Sequence, residues 1–431
     1  MIPRPLVVGV GAALAAVLAI VACHETSDPR AGSSNVSSSG GGGASSGTGG
    51  ASGAPNSSGG LDAAPPVGAI ECGPAPGMAA PFTKQALLGA AADCAAWHAC
   101  NFQNAATALR ITVRDQAAAP TEAKRTAAQV AWRGAMNEWS KMELFQFGPV
   151  GPSSIDKYHG RGLRTFVHPW PDLNRCQVET QVVQKTYQQG WDLVFPSSRG
   201  LFAVEYALFH PGADTACLPN STTAQTWAAQ TRAQLTQGKI DYAVAIADNI
   251  VALSLEIRNV WAPAGENFKG KLLAFDGYGS EQETLNVVAW SLLYPEQEIK
   301  DLKLGSLAGF QPAPNNPETP FVRIEVENMR SNLRAFRSLF QGCGADGTGV
   351  GFDDWLIAVG QQQLAADLLA MLVTAQAAAD AFPAFPQATP AQFVDMYNAI
   401  RPLSNLLKTS FFGSASTLNL KLPASAASDT D

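Results

Sequence analysis

The segment from Gln129 to Phe147 has the sequence QVAWRGAMNEWSKMELFQF, and its pattern decides the fold class. Apolar residues recur in it at i, i+3, i+4 and i+7, which is the period of an amphipathic helix. One face of this helix carries Trp132, Ala135, Met136, Trp139 and Glu143. The pattern therefore predicts a helix with one buried face, and it places the carboxylate of Glu143 on that face.

The same helical period continues from about Thr83 onward, and no alternating pattern typical of a strand interrupts it. Further helices are predicted over Thr222–Pro263, Glu281–Asp301, Val322–Phe340, Phe352–Phe382 and Pro390–Phe411. The stretch Pro263–Gly279 is rich in Gly and Pro and separates two helical halves, at about 83–262 and 280–411. Long amphipathic helices with short joints form bundles. We therefore predict an all-α fold of two four-helix-bundle halves.

The N-terminal residues predict an exported lipoprotein. An apolar run from Leu6 to Ala22 follows Arg4 and ends in Ile20-Val21-Ala22-Cys23, which resembles the lipobox of bacterial lipoproteins. Residues 1–22 are then a signal peptide, Cys23 is the lipidated N-terminus, and the alternative is an uncleaved membrane anchor. Residues 23–68 are a Ser- and Gly-rich disordered tether, 69–420 the helical domain, and 421–431 a disordered tail. We expect a cell-envelope protein that touches the membrane only through its lipid, most consistent with the outer membrane because His24 rather than Asp follows Cys23.

Composition excludes several classes of function. The 431 residues carry 29 basic and 36 acidic side chains and a net charge of -7, so no basic surface for nucleic acid is expected. None of the five histidines stands four residues from another, which excludes an HExxH zinc helix. The one GxSxG spacing in the chain, Gly43–Gly47, lies in the Ser- and Gly-rich stretch and not between a strand and a helix, so it predicts no nucleophile elbow.

Besides Cys23 the chain has six cysteines, an even number that predicts three disulfides in an exported protein. Many connectivities are possible, and local pairs are the simplest of them: Cys94 with Cys100, and Cys176 with Cys217. Cys72 and Cys343 are the remaining disulfide candidates. No CxxC pair is present, so a thiolate metal site is not indicated.

A second inward carboxylate lies in the segment SRGLFAVEYALF, residues 198–209, where Phe202, Glu205, Tyr206 and Phe209 share a helical face. A buried carboxylate needs a cation or strong hydrogen-bond donors, or else it stays protonated. Glu143 and Glu205 are therefore candidate site residues. The alternative is a structural role, either an ion pair with Arg133, Arg199 or Arg232 or a hydrogen bond to a helix end.

Several motifs in order resemble the imelysin family, also called the peptidase M75 group, over about Lys84–Phe411. They are Ala131-Trp132-Arg133 through Trp139, Glu143 and Phe145 to Pro149; His168-Pro169-Trp170-Pro171; Gly200–Phe209; Trp261-Ala262-Pro263; Asp301–Gly305; and Glu327–Gly342. The resemblance implies an exported protein of two helical halves with a site in the groove between them, in iron-regulated or metal and haem uptake systems; a few members are described as peptidases. It suggests that the groove or its ion pairs are supported by Trp132, Arg133, Trp170, Arg199, Gly200 and Phe202.

Two departures from the family pattern shape the functional hypothesis. Phe202 occupies the histidine position of the GxHxxE signature, and phenylalanine can neither bind a metal nor transfer a proton. His168 occupies a position that is acidic in many relatives. We therefore predict a rebuilt site of Glu143, His168 and Glu205 that holds one divalent metal ion, Fe or Zn, because mixed N/O ligands suit these metals.

Three functions remain open at this point. The favoured one is a lipid-anchored protein that binds a metal ion or metal complex for iron uptake, with other metal-uptake components as partners. A non-catalytic helical interaction scaffold is the alternative, and a metallopeptidase ranks below both because of Phe202. Haem is not predicted, since tryptophans in a bundle usually line the core.

Overall fold

The structure is a computed structural model that describes residues 68–78, 80–310, 317–385, 387–413 and 416–423. The predicted signal peptide, Cys23 and nearly all of the predicted tether lie outside the described residues, as does the tail from residue 424 onward. The predicted domain limits at these ends therefore stay predictions.

The described residues form fourteen α-helices joined by short 3-10 and π segments, and they contain no strand. The α-helices are α1 (Lys84–Ala118), α2 (Glu122–Met142), α3 (Leu163–Val167), α4 (Arg175–Gln184), α5 (Gly200–Phe209), α6 (Thr222–Ala228), α7 (Arg232–Trp261), α8 (Phe268–Leu273), α9 (Glu281–Trp290), α10 (Gly305–Leu307), α11 (Glu325–Gln341), α12 (Phe352–Ala358), α13 (Gln362–Ala381) and α14 (Pro390–Leu406). The 3-10 turns are Gly148–Val150, Thr186–Gln188, Trp191–Leu193, Pro196–Ser198, Ser291–Leu293 and Ala345–Gly347. Two π-helices complete the set, a long one at Pro295–Leu304 and a short one at Leu407–Phe411.

Side-chain caps explain where the principal helices begin. Thr83 and Thr121 accept hydrogen bonds from the backbone N–H groups of Ala86 and Lys124, which satisfies donors that have no partner inside a helix. Thr231 forms a capping box with Gln234, and it starts α7 inside the region where the sequence predicts one continuous helix. The predicted helix at Phe352–Phe382 is also divided, because the chain turns at Gly360 with φ +81°.

The helices form two bundles that share one hydrophobic core. In the first half α1, α2, α5 and α7 pack together, and in the second half α11, α13 and α14 pack with the long π-helix. Helix α2 of the first half packs against α11 of the second. Among the described helices α13 alone is long and apolar enough to cross a membrane by composition, and it lies within the second bundle. The predicted all-α fold with two helical halves is confirmed.

Three disulfides link the described cysteines: Cys72–Cys100, Cys94–Cys343 and Cys176–Cys217. The predicted number and the Cys176–Cys217 pair are confirmed, whereas the predicted Cys94–Cys100 pair is wrong. Both residues belong to α1, and positions six apart on a helix project in different directions. Cys94 therefore reaches the segment after α11, which ties the first half to the second, and Cys100 reaches the segment before α1.

The long disulfide should stabilise the protein more than the short one. Cys94–Cys343 spans 249 residues and Cys72–Cys100 spans 28. In the chain-entropy account the larger loop contributes about 2 kcal/mol more to the free energy of unfolding. We expect Cys94→Ala/Cys343→Ala to lower this free energy by about that much more than Cys72→Ala/Cys100→Ala in chemical denaturation. Equal losses in the two variants would contradict the expectation.

Candidate functional site

Glu143 lies where α2 ends, inside the joint between the two halves. Its backbone N–H donates to Trp139 O at 2.8 Å, so the residue is held at the last turn of the helix. The carboxylate is buried, and its Oε1 accepts hydrogen bonds from Lys303 Nζ at 3.2 Å and from Asn332 Nδ2 at 3.0 Å. Both partners belong to the second half, the long π-helix and α11. The inward position predicted for Glu143 is confirmed, and its cation is Lys303 rather than Arg133, Arg199 or Arg232.

Lys303 is the centre of this buried group. The residue is 2% exposed, and its ammonium lies 2.8 Å from Glu318 Oε1 in addition to its contact with Glu143. It also donates to Asn332 Oδ1 at 2.8 Å. The rings of Trp170 and Tyr294 also lie near the ammonium, with centroids 5.9 and 5.7 Å from Nζ. One ammonium thus compensates two buried carboxylates from different segments.

His168 joins the group from the end of α3. Its backbone N–H donates to Arg164 O at 3.0 Å, and the residue is 4% exposed. One ring nitrogen is hydrogen-bonded to the backbone of Glu318, whereas Nε2 has no hydrogen-bond partner among the described residues. Burial lowers the pKa of His168 to about 4, and the charges of Lys303 and Arg164 add to this effect against the attraction of Glu143. The imidazole is therefore neutral at pH 7 and has a nitrogen available as a ligand.

The two carboxylates of the group differ in their proton affinity. Burial by itself would raise the pKa of Glu143, but the charges of Lys303 and Arg164 outweigh it and hold the pKa at about 2. Burial and the neighbouring Glu143 charge raise the pKa of Glu318 to about 7, although Lys303 opposes the shift. Glu143 is thus the permanent anion of the site, and Glu318 can gain a proton near neutral pH.

The side chains of Glu143, His168 and Glu318 are suited to bind a metal ion together. Ligand atoms of Glu143, His168 and Glu318 all lie within 4.8 Å of one another, and all three residues are buried. A histidine whose second ring nitrogen is bonded to a backbone group has the arrangement that metal-binding histidines usually show. The donor set therefore fits a divalent metal, and the ammonium of Lys303 lies against the same two carboxylates.

Glu205 does not join this group, which corrects the predicted set of Glu143, His168 and Glu205. Its Oε1 accepts hydrogen bonds from the backbone N–H groups of Phe321 at 2.8 Å and Val322 at 3.0 Å. Burial raises the pKa of Glu205 well above its ordinary value, although these two N–H groups oppose the shift. Glu205 therefore has the structural role that was the alternative to a site residue, a hydrogen bond to a helix end, because Phe321 and Val322 lie just before α11. Glu205 holds the loop from which Glu318 enters the site, and Glu318 takes the third position.

Phe202 supports the same loop. The ring is buried and stacks on Phe321, with centroids 6.3 Å apart and planes at 23°. Gly200, at the start of α5, has φ +71°, and a Cβ there would lie 2.3 Å from Val167 O. A residue with a side chain could not bring α5 so close to the segment that carries His168. The signature helix α5 therefore contacts both segments that supply ligands.

The other predicted support residues have different roles. Trp132 is buried and donates from Nε1 to Leu201 O at 2.8 Å, which joins α2 to α5. Arg133 lies over the ring of Phe209 at 5.9 Å and takes no part in the buried group. Arg199 lies over the ring of Phe166 at 4.3 Å. Trp170 is the one of these that borders Lys303.

Sequence reasoning missed Lys303, Glu318 and Asn332. Lys303 falls within the Asp301–Gly305 run that resembles the family, but nothing in the run marks its lysine as buried. Asn332 lies on the predicted helix at Val322–Phe340, and Glu318 lies in a segment with no periodic pattern. These three residues meet Glu143 only when the two halves pack. No pattern within one segment of the sequence therefore marks them as a group.

A second group, Cys94, His98 and Cys343, also brings ligand atoms within 4.8 Å. Its two sulfurs are joined in a disulfide, so they are not thiolates that could hold a metal. Burial lowers the pKa of His98 to about 3, and its ring packs against Phe145 at 5.3 Å. This group lies in the shared hydrophobic core, where the Cys94–Cys343 disulfide joins the two halves.

Comparison with known proteins agrees with the resemblance to the imelysin family. A family model described as Imelysin matches residues 96–407. Iron-regulated protein A of Synechococcus elongatus is 23% identical over 252 residues, which cover 57% of this chain and 61% of that protein, so the match spans less than two thirds of the relative.

Two solved structures share the fold. One is an imelysin-like protein of Psychrobacter arcticum, with a TM-score of 0.58, 15% identity, and coverage of 80% of this chain and 98% of that one. The other, from Parabacteroides distasonis, is described as an iron-regulated protein A precursor, with a TM-score of 0.58, 14% identity, and coverage of 78% and 96%. At these identities the likeness establishes the fold.

Two substitutions separate the hydrogen bonds that Glu205 accepts from its charge. Glu205→Ala leaves two buried N–H groups without an acceptor, at about 1–3 kcal/mol each, so we expect the free energy of unfolding to fall by about 2–4 kcal/mol. Glu205→Gln keeps an acceptor oxygen and should cost less than about 1 kcal/mol. Urea denaturation of both variants checks this, and equal losses would contradict it.

The pH dependence of the same variants gives a second test. The folded pKa of Glu205 is raised above its ordinary value of 4.5, so its contribution to stability is complete below pH 4.5 and declines as the pH rises. The stability of the wild type relative to Glu205→Gln should therefore fall between pH 4 and pH 8. A difference that stays constant or grows with pH would contradict the assignment.

Proposed function

The chain belongs to the imelysin family, and we propose that it is an exported, lipid-anchored protein that binds a metal ion in an iron-uptake-related role. The family model covers most of the chain, and a relative and a structural neighbour are described as iron-regulated proteins. The lipobox-like Ile20-Val21-Ala22-Cys23 and the Ser- and Gly-rich residues after it support the anchor.

The observation that carries the metal proposal is His168 Nε2, a buried nitrogen with no partner in the described part of the chain, beside two buried carboxylates. Buried polar atoms are nearly always hydrogen-bonded, so an unsatisfied one in a histidine that lies beside two buried carboxylates indicates a ligand position. We assign Glu143, His168 and Glu318 as ligands for one Fe or Zn ion. This set replaces the one predicted from sequence, with Glu318 in the place of Glu205.

Lys303 makes such a site reversible. Two buried carboxylates without a counter-ion would be strongly destabilising, and the ammonium now supplies that charge. A divalent ion binding to the same oxygens has to compete with Lys303. When the ion leaves, Lys303 compensates one negative charge, and a proton on Glu318, whose pKa is raised to about 7, compensates the other. A carrier that releases its cargo needs a site that is stable in both states. The metal is in this proposal the cargo of the protein rather than a resident cofactor.

Neither alternative function has comparable support. A metallopeptidase needs an open metal position and a general base, and Phe202 stands where the family signature has its histidine. An interaction scaffold would need no set of buried ligand atoms. Partners among other metal-uptake components remain part of the proposal, because a tethered carrier must receive and pass on its cargo.

Metal binding can be measured by calorimetric titration of the chelator-treated full-length chain with Fe(II) and Zn(II). We expect saturable binding near one equivalent for the wild type. Glu143→Gln and His168→Ala each remove a ligand and should weaken it by more than about tenfold, since even a supporting residue costs that much. His159→Ala is the matched control, because His159 packs against Phe268 and Tyr278 away from the site.

Lys303→Met provides the second arm of this experiment. Loss of the ammonium leaves two buried carboxylates uncompensated, which should cost the metal-free protein about 3–5 kcal/mol and raise its affinity for metal. Metal should therefore raise the thermal midpoint of Lys303→Met more than that of the wild type. The proposal is wrong if the wild type binds neither ion, or if Lys303→Met gains nothing from metal.

The lipid anchor is tested by expression in a Gram-negative bacterium with labelled fatty acid. We expect the wild-type chain to take up the label and to sediment with membranes, because the acyl chains partition into the bilayer. Cys23→Ser should lose the label, and Ser27→Ala should keep it. A Cys23→Ser chain that keeps both label and membrane association would contradict the anchor.

A further inference from the structure

Tyr294 is a buried side chain beside Lys303 that the proposed ligand set does not use. It lies between the 3-10 turn Ser291–Leu293 and the long π-helix Pro295–Leu304, and it is 2% exposed. Its ring centroid lies 5.7 Å from Lys303 Nζ. The ring is thus part of the packing around the ammonium, but its hydroxyl group needs a separate explanation.

The π-helix is the element that brings Tyr294 to this position. Lys303 stands nine positions after Tyr294, which is about 2.5 turns of an α-helix and would place the two side chains on opposite faces. The hydrogen bonds of a π-helix reach one residue further, so each turn holds more residues and the two side chains meet. Segments of π-helix are rare, and they occur frequently at functional sites.

The hydroxyl group of Tyr294 is buried and makes no hydrogen bond of ordinary geometry to any described residue. It nevertheless approaches Glu143. Burial acts in the opposite direction, but the nearby basic side chains and, to a smaller extent, the Tyr294 hydroxyl lower the pKa of Glu143. The phenol oxygen therefore lies beside a proposed ligand without a satisfied hydrogen bond. A buried hydroxyl in this state is uncommon, and a bound ion is one of its recognised causes.

The other charged groups around Tyr294 are paired with one another. Arg164 lies 3.5 Å from Glu298, and Lys303 is paired with both carboxylates of the proposed site. Burial and then the charge of Glu143 raise the pKa of Tyr294 well above its ordinary value, so the phenol keeps its proton while the site holds no ion. The neighbouring charges thus have partners, and the phenol oxygen is the polar atom here that has none.

A phenol oxygen beside two carboxylates and an imidazole changes which ion the site suits best. Anionic oxygens are hard ligands, and Fe(III) is a harder ion than Fe(II) or Zn(II). Tyrosine is also the ligand of haem iron in some proteins. Fe(III) carries one positive charge more than the divalent ions, and a phenolate supplies one more negative charge. Two carboxylates and a phenolate therefore balance a trivalent ion, as a buried site requires.

We propose that Tyr294 is a further ligand of this site and that the ion it binds there is Fe(III). The inference rests on the proposed function and specifies its cargo. When Fe(III) binds, the O–H bond of the phenol breaks, and the oxygen donates an electron pair to form an O–Fe bond. The proton is released to the solvent, because a metal ligand has to be deprotonated and the charge of the ion favours that loss. No electron is transferred, so the iron enters and remains as Fe(III).

The proposal is tested by the visible absorbance of the chelator-treated full-length chain during titration with Fe(III), supplied as its nitrilotriacetate complex. A phenolate bound to Fe(III) gives a charge-transfer band in the visible region, and we expect this band to saturate near one equivalent. Tyr294→Phe should lose the band and weaken Fe(III) binding by at least about tenfold, since even a supporting residue costs that much. Its Zn(II) binding, measured by calorimetry, should change much less.

Tyr278→Phe is the matched control. It removes another buried hydroxyl, which donates to Asp156 Oδ2 at 2.7 Å, and it should keep the band. The thermal midpoints of the metal-free variants provide a second measurement. Tyr294→Phe should be at least as stable as the wild type, because its hydroxyl has no ordinary hydrogen bond to lose, whereas Tyr278→Phe should be less stable.

The results that would overturn the inference differ from those that concern the proposed function. A wild type that binds one Zn(II) but gives no visible band with Fe(III) would exclude the phenolate ligand and leave the proposed function intact. A band that persists in Tyr294→Phe would exclude Tyr294. A metal-free Tyr294→Phe that loses as much stability as Tyr278→Phe would assign its hydroxyl to a structural hydrogen bond. A wild type that binds none of Fe(II), Fe(III) and Zn(II) would overturn both proposals.

Discussion

The joint between the two helical halves depends on the two ion pairs that the buried ammonium group of Lys303 makes. It lies 3.2 Å from Glu143 Oε1 at the end of α2 and 2.8 Å from Glu318 Oε1 in the loop before α11. All three groups are buried, and the loss of Lys303 would leave two carboxylates uncompensated where water cannot screen their charge. Their mutual compensation therefore determines how the halves meet. It also places His168 beside two carboxylates.

The helix that carries the family signature acts on this centre through its neighbours. Glu205 and Phe202 both contact Phe321, one by a hydrogen bond to its backbone and the other by ring stacking, and they fix the loop that delivers Glu318. Gly200 allows the start of the same helix to approach Val167, next to His168. A phenylalanine at the signature histidine position is compatible with this role, since the position here supports a loop and binds no ligand.

The sequence pattern predicted the features that depend on residues close to one another in the chain. The helical period identified the all-α class and the two halves, and the inward face of α2 identified Glu143. It could not identify Glu318, which lies in a segment without periodicity, or the buried state of Lys303, because a lysine is usually exposed. The same limit explains the error with Glu205: a carboxylate on an apolar face has to be compensated, but the sequence does not show by what. The groups that compensate Glu205 are backbone N–H groups of a loop more than a hundred residues away. The Cys94–Cys343 disulfide was missed for the same reason, since the two cysteines are distant in sequence.

In the proposed function, a metal ion takes the place of the Lys303 ammonium between the carboxylates of Glu143 and Glu318. Anomalous diffraction at the iron edge, from crystals of the protein grown with and without Fe(II), tests it most directly. We expect an iron peak bonded to His168 Nε2 and to both carboxylates, with Lys303 Nζ moved away from them. Crystals with iron in which Lys303 still bridges Glu143 and Glu318, and in which no peak lies at His168, would contradict it.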